Sequence, residues 1–188
     1  MQHAKYTRAA EPHVKLENRF VRLDETPVTT PDGSAGSYVT ATVGSGFGGV
    51  AITRAIARGF TYYCVVEQHR FPIDEVTIEF PRGGTQDLSA EEARRELQEE
   101  TNCAVSGDPV LLGVIHADTG FLTNQCAVWL FHAQPSEDEL FAEPESGATH
   151  RWLSPGEIIG MINSGKITCA HTIAAWGLLL SSGRNKVA

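Results

Sequence analysis

The chain is poor in positive charge: 15 Lys and Arg stand against 23 Asp and Glu, for a net charge of -8 and a pI near 5.3. That balance excludes a general affinity for nucleic-acid backbones or anionic membranes, both of which favour a basic surface. An acidic protein can still take up phosphates through a divalent cation. No segment approaches the roughly 18 consecutive apolar residues of a membrane span, and the opening MQHAKYTRAAEPHVKLENRF lacks the apolar run of a secretory leader. A cytoplasmic protein with no membrane partner is expected. Cysteine is sparse as well. Cys64, Cys103, Cys126 and Cys169 are far apart, form no CxxC pair and do not join histidines at zinc-ligand spacing, so four free thiols in a reducing compartment are expected. There is no internal repeat or low-complexity tract. What remains is 188 residues with 41% apolar content, enough for one domain with a true core and a small appended N-terminal layer.

Up to about residue 70 the chain reads as short strands broken by turns: VKLENRFVRLDETPV, PDGSAGSYVTATV, then GGVAITRAIARGFTYYCVVEQHRF. The continuous apolar run from Tyr62 to Val66 fits a buried strand, and the alternating VTIEF leads a strand into Gly83 and Gly84. Ser89 with Glu92 three residues on predicts a capping box and a helix over 90–100, stopped at Asn102. VLLGVIHA and QCAVWLFHAQ read as two central strands joined by DTGFLTN. The acidic loop PSEDELFAEPESGA precedes the strand THRWLS, and two helices, GEIIGMINS and TIAAWGLLL, close the chain.

Gly44, Gly46 and Gly49 in GSGFGG satisfy GxGxxG, which in a dinucleotide fold follows a strand and opens a helix. VAITRAIARGFTYYCVV reads instead as strand, turn and strand, so GSGFGG is taken as a hairpin or loop. The stretch GGTQDLSAEEARRELQEETN, residues 83–102, is more informative. A helical period places Glu92, Glu96, Glu99 and Glu100 within one broad face beside an apolar stripe of Ala93 and Leu97. Like charges at that spacing repel by a few tenths of a kcal/mol per pair, roughly, so something must offset them. One answer is a solvated face neutralised by Arg94 and Arg95. The other is a hard cation such as Mg²⁺, which takes oxygen ligands and fills its remaining positions with water and phosphate.

RRELQEET resembles the REUxEE core of the Nudix hydrolase box, GX5EX7REUXEEXGU, in which U is a bulky apolar residue. From about Val50 onward the likeness extends over most of the chain. VVEQHRFPIDEVTIEFPRGG looks like the segment before the box in ADP-ribose pyrophosphatases and related nucleotide-sugar hydrolases, and WLSPGEIIGMINSGKITCAHTIAAWGLLL is similar to their C-terminal pattern. The resemblance implies an α/β Nudix fold: an α/β/α sandwich with a mixed sheet, plus a small N-terminal β layer. It also implies an N-terminal β-rich, dimer-forming extension over 1–49, a hydrolase domain over 50–188 and a homodimer.

The chemistry implied is Mg²⁺-dependent hydrolysis, with Mn²⁺ as a substitute, of a nucleoside diphosphate-linked small molecule. Glu96, Glu99 and Glu100, with a backbone carbonyl from Gly83, match the metal ligands. Arg95 would orient the acids. Glu100, and Glu143 or Glu145 in the acidic loop, match the general base or an added ligand. Arg70 and Phe121 match substrate-binding positions. A surface salt bridge for Arg70, a core aromatic for Phe121 and solvated loop acids for Glu143 and Glu145 are the plain alternatives. Two departures stand out. Ten residues separate Gly84 from Arg95, and eleven separate Gly83 from it, where the box has thirteen. The first box glutamate therefore has no match, and Asp87 takes its distance only if Pro81 replaces the glycine. Asn102 also replaces the final glycine. A domain that has lost catalysis and binds a nucleotide metabolite is the alternative these departures raise; capped dinucleotides or a nucleoside triphosphate are alternative substrates.

Overall fold

The computed structural model of the protein describes residues 5–141 and 150–185. The described residues form two sheets. The N-terminal sheet contains β1 (Thr7–Arg8), β2 (His13–Glu17), β3 (Val21–Thr29) and β4 (Ala35–Val43). β3 and β4 pair antiparallel from Val21↔Val43 to Thr29↔Ala35, while β1 and β2 share the other edge of β3. The second sheet begins at β5 (Phe47–Ala57) and continues with β6 (Phe60–Arg70), β7 (Glu75–Glu79), β8 (Arg82–Thr85), β9 (Val105–Ile115), β10 (Gln125–Ala133) and β11 (His150–Leu153). Among the described residues there are four helices: α1 (Ala90–Thr101), α2 (Glu137–Leu140), α3 (Pro155–Asn163) and α4 (Ala170–Ser181).

β5 and β6 are longer than their turn signals imply, since Arg58 and Gly59 close their hairpin in two consecutive residues of positive φ. GSGFGG is a turn from one sheet into the other, and its last two glycines lie inside β5. The second sheet runs β11-β6-β5-β10-β9, with β10 parallel to β5 and the other pairings antiparallel. β9 is therefore an edge strand rather than a central one. Its apolar run alternates instead of being buried throughout: Leu112 and Ile115 pack on the core, and Leu111 and Val114 face out. β5 and β6 pair only near their hairpin. Further along they part, and β7 takes the free edge of β6 while β8 takes that of β5.

Strand alternation produces two cores. Val50, Ile52, Tyr63 and Val65 face α3 and α4, through Ile158, Trp176 and Leu179. Ala51, Ala55 and Cys64 face α1, through Ala93 and Leu97. All four cysteines are free thiols. Burial pushes the Cys103 and Cys126 thiols up to about 11, so both stay protonated at neutral pH. Among the described residues no helix is long and apolar enough to cross a membrane.

Helix α1 starts where its sequence predicts and ends one residue later, at Thr101. Ser89 Oγ accepts from Glu92 N at 3.4 Å, and Asn102 adopts φ 53° as a left-handed stop. The capping box is only half formed: Glu92 Oε2 accepts from Gln86 N at 2.9 Å instead of turning back to the cap. α1 lies unusually close to β5. A Cβ at Gly49 would sit 3.1 Å from Ala93 Cβ and 3.2 Å from Ala93 Cα, so any side chain there would press on the helix, which would have to give by a few tenths of an ångström. Gly49→Val should cost about 1–3 kcal/mol through overpacking. The cost would read out as a lower urea midpoint at unchanged slope, and an unchanged midpoint would show that α1 yields freely.

Candidate active site

β8 carries the glycines, and pairing sets Gly83 opposite Gly49 and Gly84 opposite Gly48. α1 lies over this ladder. A Cβ on Gly83 would fall 1.7 Å from Glu96 Oε2, so the missing side chain is the space that the Glu96 carboxylate occupies. Glu100, one turn on, reaches the same strand end. Its Oε2 accepts from Arg82 N at 3.1 Å and its Oε1 from Gln68 Nε2 at 2.6 Å. Gln68 is a residue that sequence reasoning missed, although it sits in the quoted EQHR. Burial pushes the Glu96 carboxyl above its usual range, with Arg95 pulling against it. Burial raises Glu100 too, opposed by the bonds from Gln68 and Arg82 and by the charge of Arg70.

Arg95 answers the repulsion along the helix. Its guanidinium donates to Glu96 at 2.6 Å, Glu99 at 2.9 Å and Glu92 at 3.4 Å, and also to Gly84 O at 3.3 Å. Arg94 takes no share in this; it lies over the Phe131 ring. Glu99 is 60% exposed at its side chain and reaches Arg95 rather than Gly83. Among the described residues no three His, Cys, Asp or Glu side chains converge as a pre-formed metal site would. The oxygen set nevertheless suits Mg²⁺, which binds through one or two carboxylates and keeps waters and phosphate oxygens for its other positions.

The short turn before the helix is well tied. Ser45 Oγ donates to Thr85 O, Thr85 Oγ1 to Asp87 O at 2.6 Å, and Trp129 Nε1 to Leu88 O at 3.1 Å. Asp87 is exposed and its carboxylate accepts from Ser89 N at 2.8 Å, away from the helix acids. Glu143 and Glu145 lie outside the described residues.

A cleft of about 400 Å³ opens beside the glycine ladder, between the two sheets. Val43, Phe47 and Leu122 supply apolar wall, and Arg70, Arg82 and His171 supply the polar end. The loop after β9 is clamped to β4 to close it: Phe121 O accepts from Ala41 N at 2.9 Å, and the Asn124 amide both accepts from Val43 N and donates to Val43 O at 2.8 Å. Phe121 itself is exposed and does not line the cleft; its neighbour Leu122 does. Arg70 is no surface salt bridge. It makes a bidentate pair with Glu79, whose side chain is 1% exposed. Arg82 Nε donates to the same carboxylate at 2.6 Å and Thr77 Oγ1 at 2.5 Å.

No family model matches the chain, and no curated protein matches it in sequence. Its fold is similar to that of a solved ADP compounds hydrolase, at 14% identity over 97% of each chain and a TM-score of 0.73. The fold is Nudix-like. Helices on both faces of a mixed sheet, with a β layer in front, form the expected α/β/α arrangement.

Glu79 generates a pH prediction. Burial pushes its carboxyl up, but the bonds from Arg70 and Thr77 and the charges of Arg82 and Arg70 outweigh that and hold it at about 2. The unfolded chain, with its ordinary value near 4.5, binds more protons below that pH. The stabilisation is therefore complete above about 4.5 and is lost as pH falls towards 2, a contribution of about 3 kcal/mol. Glu79→Gln should lower stability at pH 7 by about 1–3 kcal/mol and flatten the acid side of the stability profile. Urea unfolding between pH 7 and 3 measures both, and parallel profiles for the two proteins would contradict the assignment.

Proposed function

We propose that the protein hydrolyses the diphosphate linkage of a nucleoside diphosphate derivative, ADP-ribose or another nucleotide sugar, to a nucleoside monophosphate and a sugar phosphate. The reaction is Mg²⁺-dependent, with Mn²⁺ able to substitute. The observation that carries this reading is the cradle in which Gly83 leaves room for the Glu96 carboxylate beside Glu100. Two half-buried carboxylates held one helical turn apart at a glycine strand end form a site for a hard cation. The fold shared with an ADP compounds hydrolase supports the substrate class.

When bound, the cation supplies charge neutralisation on the diphosphate and lowers the pKa of water. Glu96 and Glu100 hold it, with the Gly83 carbonyl and Glu99 as further oxygens. Arg95 keeps Glu96 and Glu99 oriented through charge-assisted bonds. Arg70 meets the diphosphate at the polar end of the cleft, and Val43, Phe47 and Leu122 offer the base an apolar wall. Glu100, Glu143 or Glu145 takes the proton from the attacking water. Residues 1–49 act as a dimer-forming extension of the 50–188 hydrolase domain. The exposed Leu16, Phe20 and Val39 of the N-terminal segment support pairing with a second copy in a cytoplasmic homodimer.

A panel of nucleoside diphosphate derivatives with Mg²⁺ tests the reaction, and no turnover of any member with Glu100 intact would sink it. Gly83→Ala isolates the cradle. Its φ suits alanine, so the fold should hold, while the new Cβ displaces Glu96 and weakens Mn²⁺ binding by about 10- to 100-fold. Unchanged Mn²⁺ affinity in a titration of that variant would remove the cradle from the site.

The shortened turn favours a second reading. Asp87 caps Ser89 and leaves the first box acid without a counterpart, as in a domain that binds a nucleotide metabolite without cleaving it. Calorimetric binding of Mg²⁺ and ADP-ribose with no product formed would establish that reading instead.

A further inference from the structure

Four glycines meet in the ladder between β5 and β8, and packing crowds three of them. Gly49 lies against Ala93, Gly83 against the Glu96 carboxylate, and a Cβ on Gly48 would stand 3.3 Å from Gly83 O and 3.4 Å from Cys126 Sγ. Gly84 is different. A Cβ built on it meets no atom within 4 Å, and its φ lies outside the left-handed range that favours glycine. Glycine weakens a strand interior, and where packing does not call for it the usual reason is a ligand that comes close to the backbone. Side chains alternate along a strand, so position 84 faces away from Glu96, on the same side of β8 as Arg82 and towards the cleft that both residues line. The backbone here is held on both sides: Gly84 O accepts from Arg95 Nη2 at 3.3 Å, and Ser45 Oγ donates to the next carbonyl, Thr85 O. Gly48, opposite on β5, also lines the cleft, so the cleft has a floor of bare backbone at this rung. The floor lies between the arginine end and the apolar wall. Arg82 stands two residues, about 7 Å, before Gly84 on β8, and Phe47 is next to Gly48 on β5.

We propose that Gly84 is a specificity-determining residue: the space over it takes the pentose ring of the ligand's nucleoside, and any side chain at this position shuts the nucleoside out. An uncharged ring packs by contact area and shape, so a floor without side chains suits it. The ring also joins a base on one side to phosphates on the other, which is the order in which apolar wall, glycine floor and arginines follow one another in the cleft. That the ligand is a nucleotide rests on the proposed function. The open space over Gly84, and the lack of any packing reason for glycine there, do not. The residue acts through volume alone, so its effect is graded: alanine fills part of the space and valine more.

The test is calorimetry on the full chain in Mg²⁺ with ADP and with inorganic pyrophosphate, which lacks the nucleoside. The unmodified protein should bind both. Gly84→Val should weaken ADP binding by about tenfold or more and change pyrophosphate binding by less than about twofold, with Gly84→Ala intermediate for ADP. Both variants should melt at or above the temperature of the unmodified protein, since the added Cβ meets nothing and stiffens the unfolded chain. Four results would each overturn the assignment: unchanged ADP affinity in Gly84→Val, an equal loss for both ligands, no ADP binding by the unmodified protein, or a lower melting temperature in Gly84→Ala. The two readings fail separately. ADP binding that is lost in Gly84→Val, with no nucleotide derivative cleaved, keeps this assignment and removes the proposed reaction. Cleavage with the same KM in Gly84→Val does the reverse.

Discussion

The site depends on how closely α1 can lie on the sheet. Gly49 removes the side chain that would hold the helix off, Ala93 fills the small space left, and Leu97 anchors the next turn in the core. With that distance set, Glu96 falls over Gly83 and Glu100 over the backbone of Arg82. Small residues thus decide where the acids stand. A wider helix-to-sheet spacing would leave the same carboxylates in solvent, with ordinary acidity and no common focus.

Charge is organised in two separate systems that meet at one residue. On the helix, Arg95 ties Glu92, Glu96 and Glu99 together on the rim. Below it, Glu79 ties Arg70 and Arg82 inside the protein. Arg82 belongs to both: its backbone N–H holds Glu100 and its side chain holds Glu79. The two systems lie side by side and face adjoining spaces.

Much of this could be read from the residues in order. The helix, its Asn102 stop, the Ala93–Leu97 stripe and the strand leading to the glycines follow from local spacing, and local spacing is what a sequence displays directly. The edge position of β9 did not, since an apolar run looks the same in the middle of a sheet and at its border. Arg95 as the clamp for three acids was half visible, because i,i+3 and i,i+4 neighbours can be counted. Gln68, Glu79, Arg82 and Asn124 were not assigned, because their roles come from pairings between distant segments. Glu79 did leave a trace: an acid on the inward side of an alternating strand must find partners or unfold it.

The clamp between β4 and the loop after β9 joins residues about 80 positions apart by backbone bonds at the buried Ala41 and by exposed side-chain bonds of Thr42, Thr123 and Asn124, the Asn124 side chain standing in for a strand. It holds one wall of the cleft but touches neither β8 nor α1. Such peripheral contacts belong to the least stable part of a fold and open without global unfolding. The enclosure and the acids therefore rest on different sets of contacts, joined where Ser45 Oγ donates to Thr85 O.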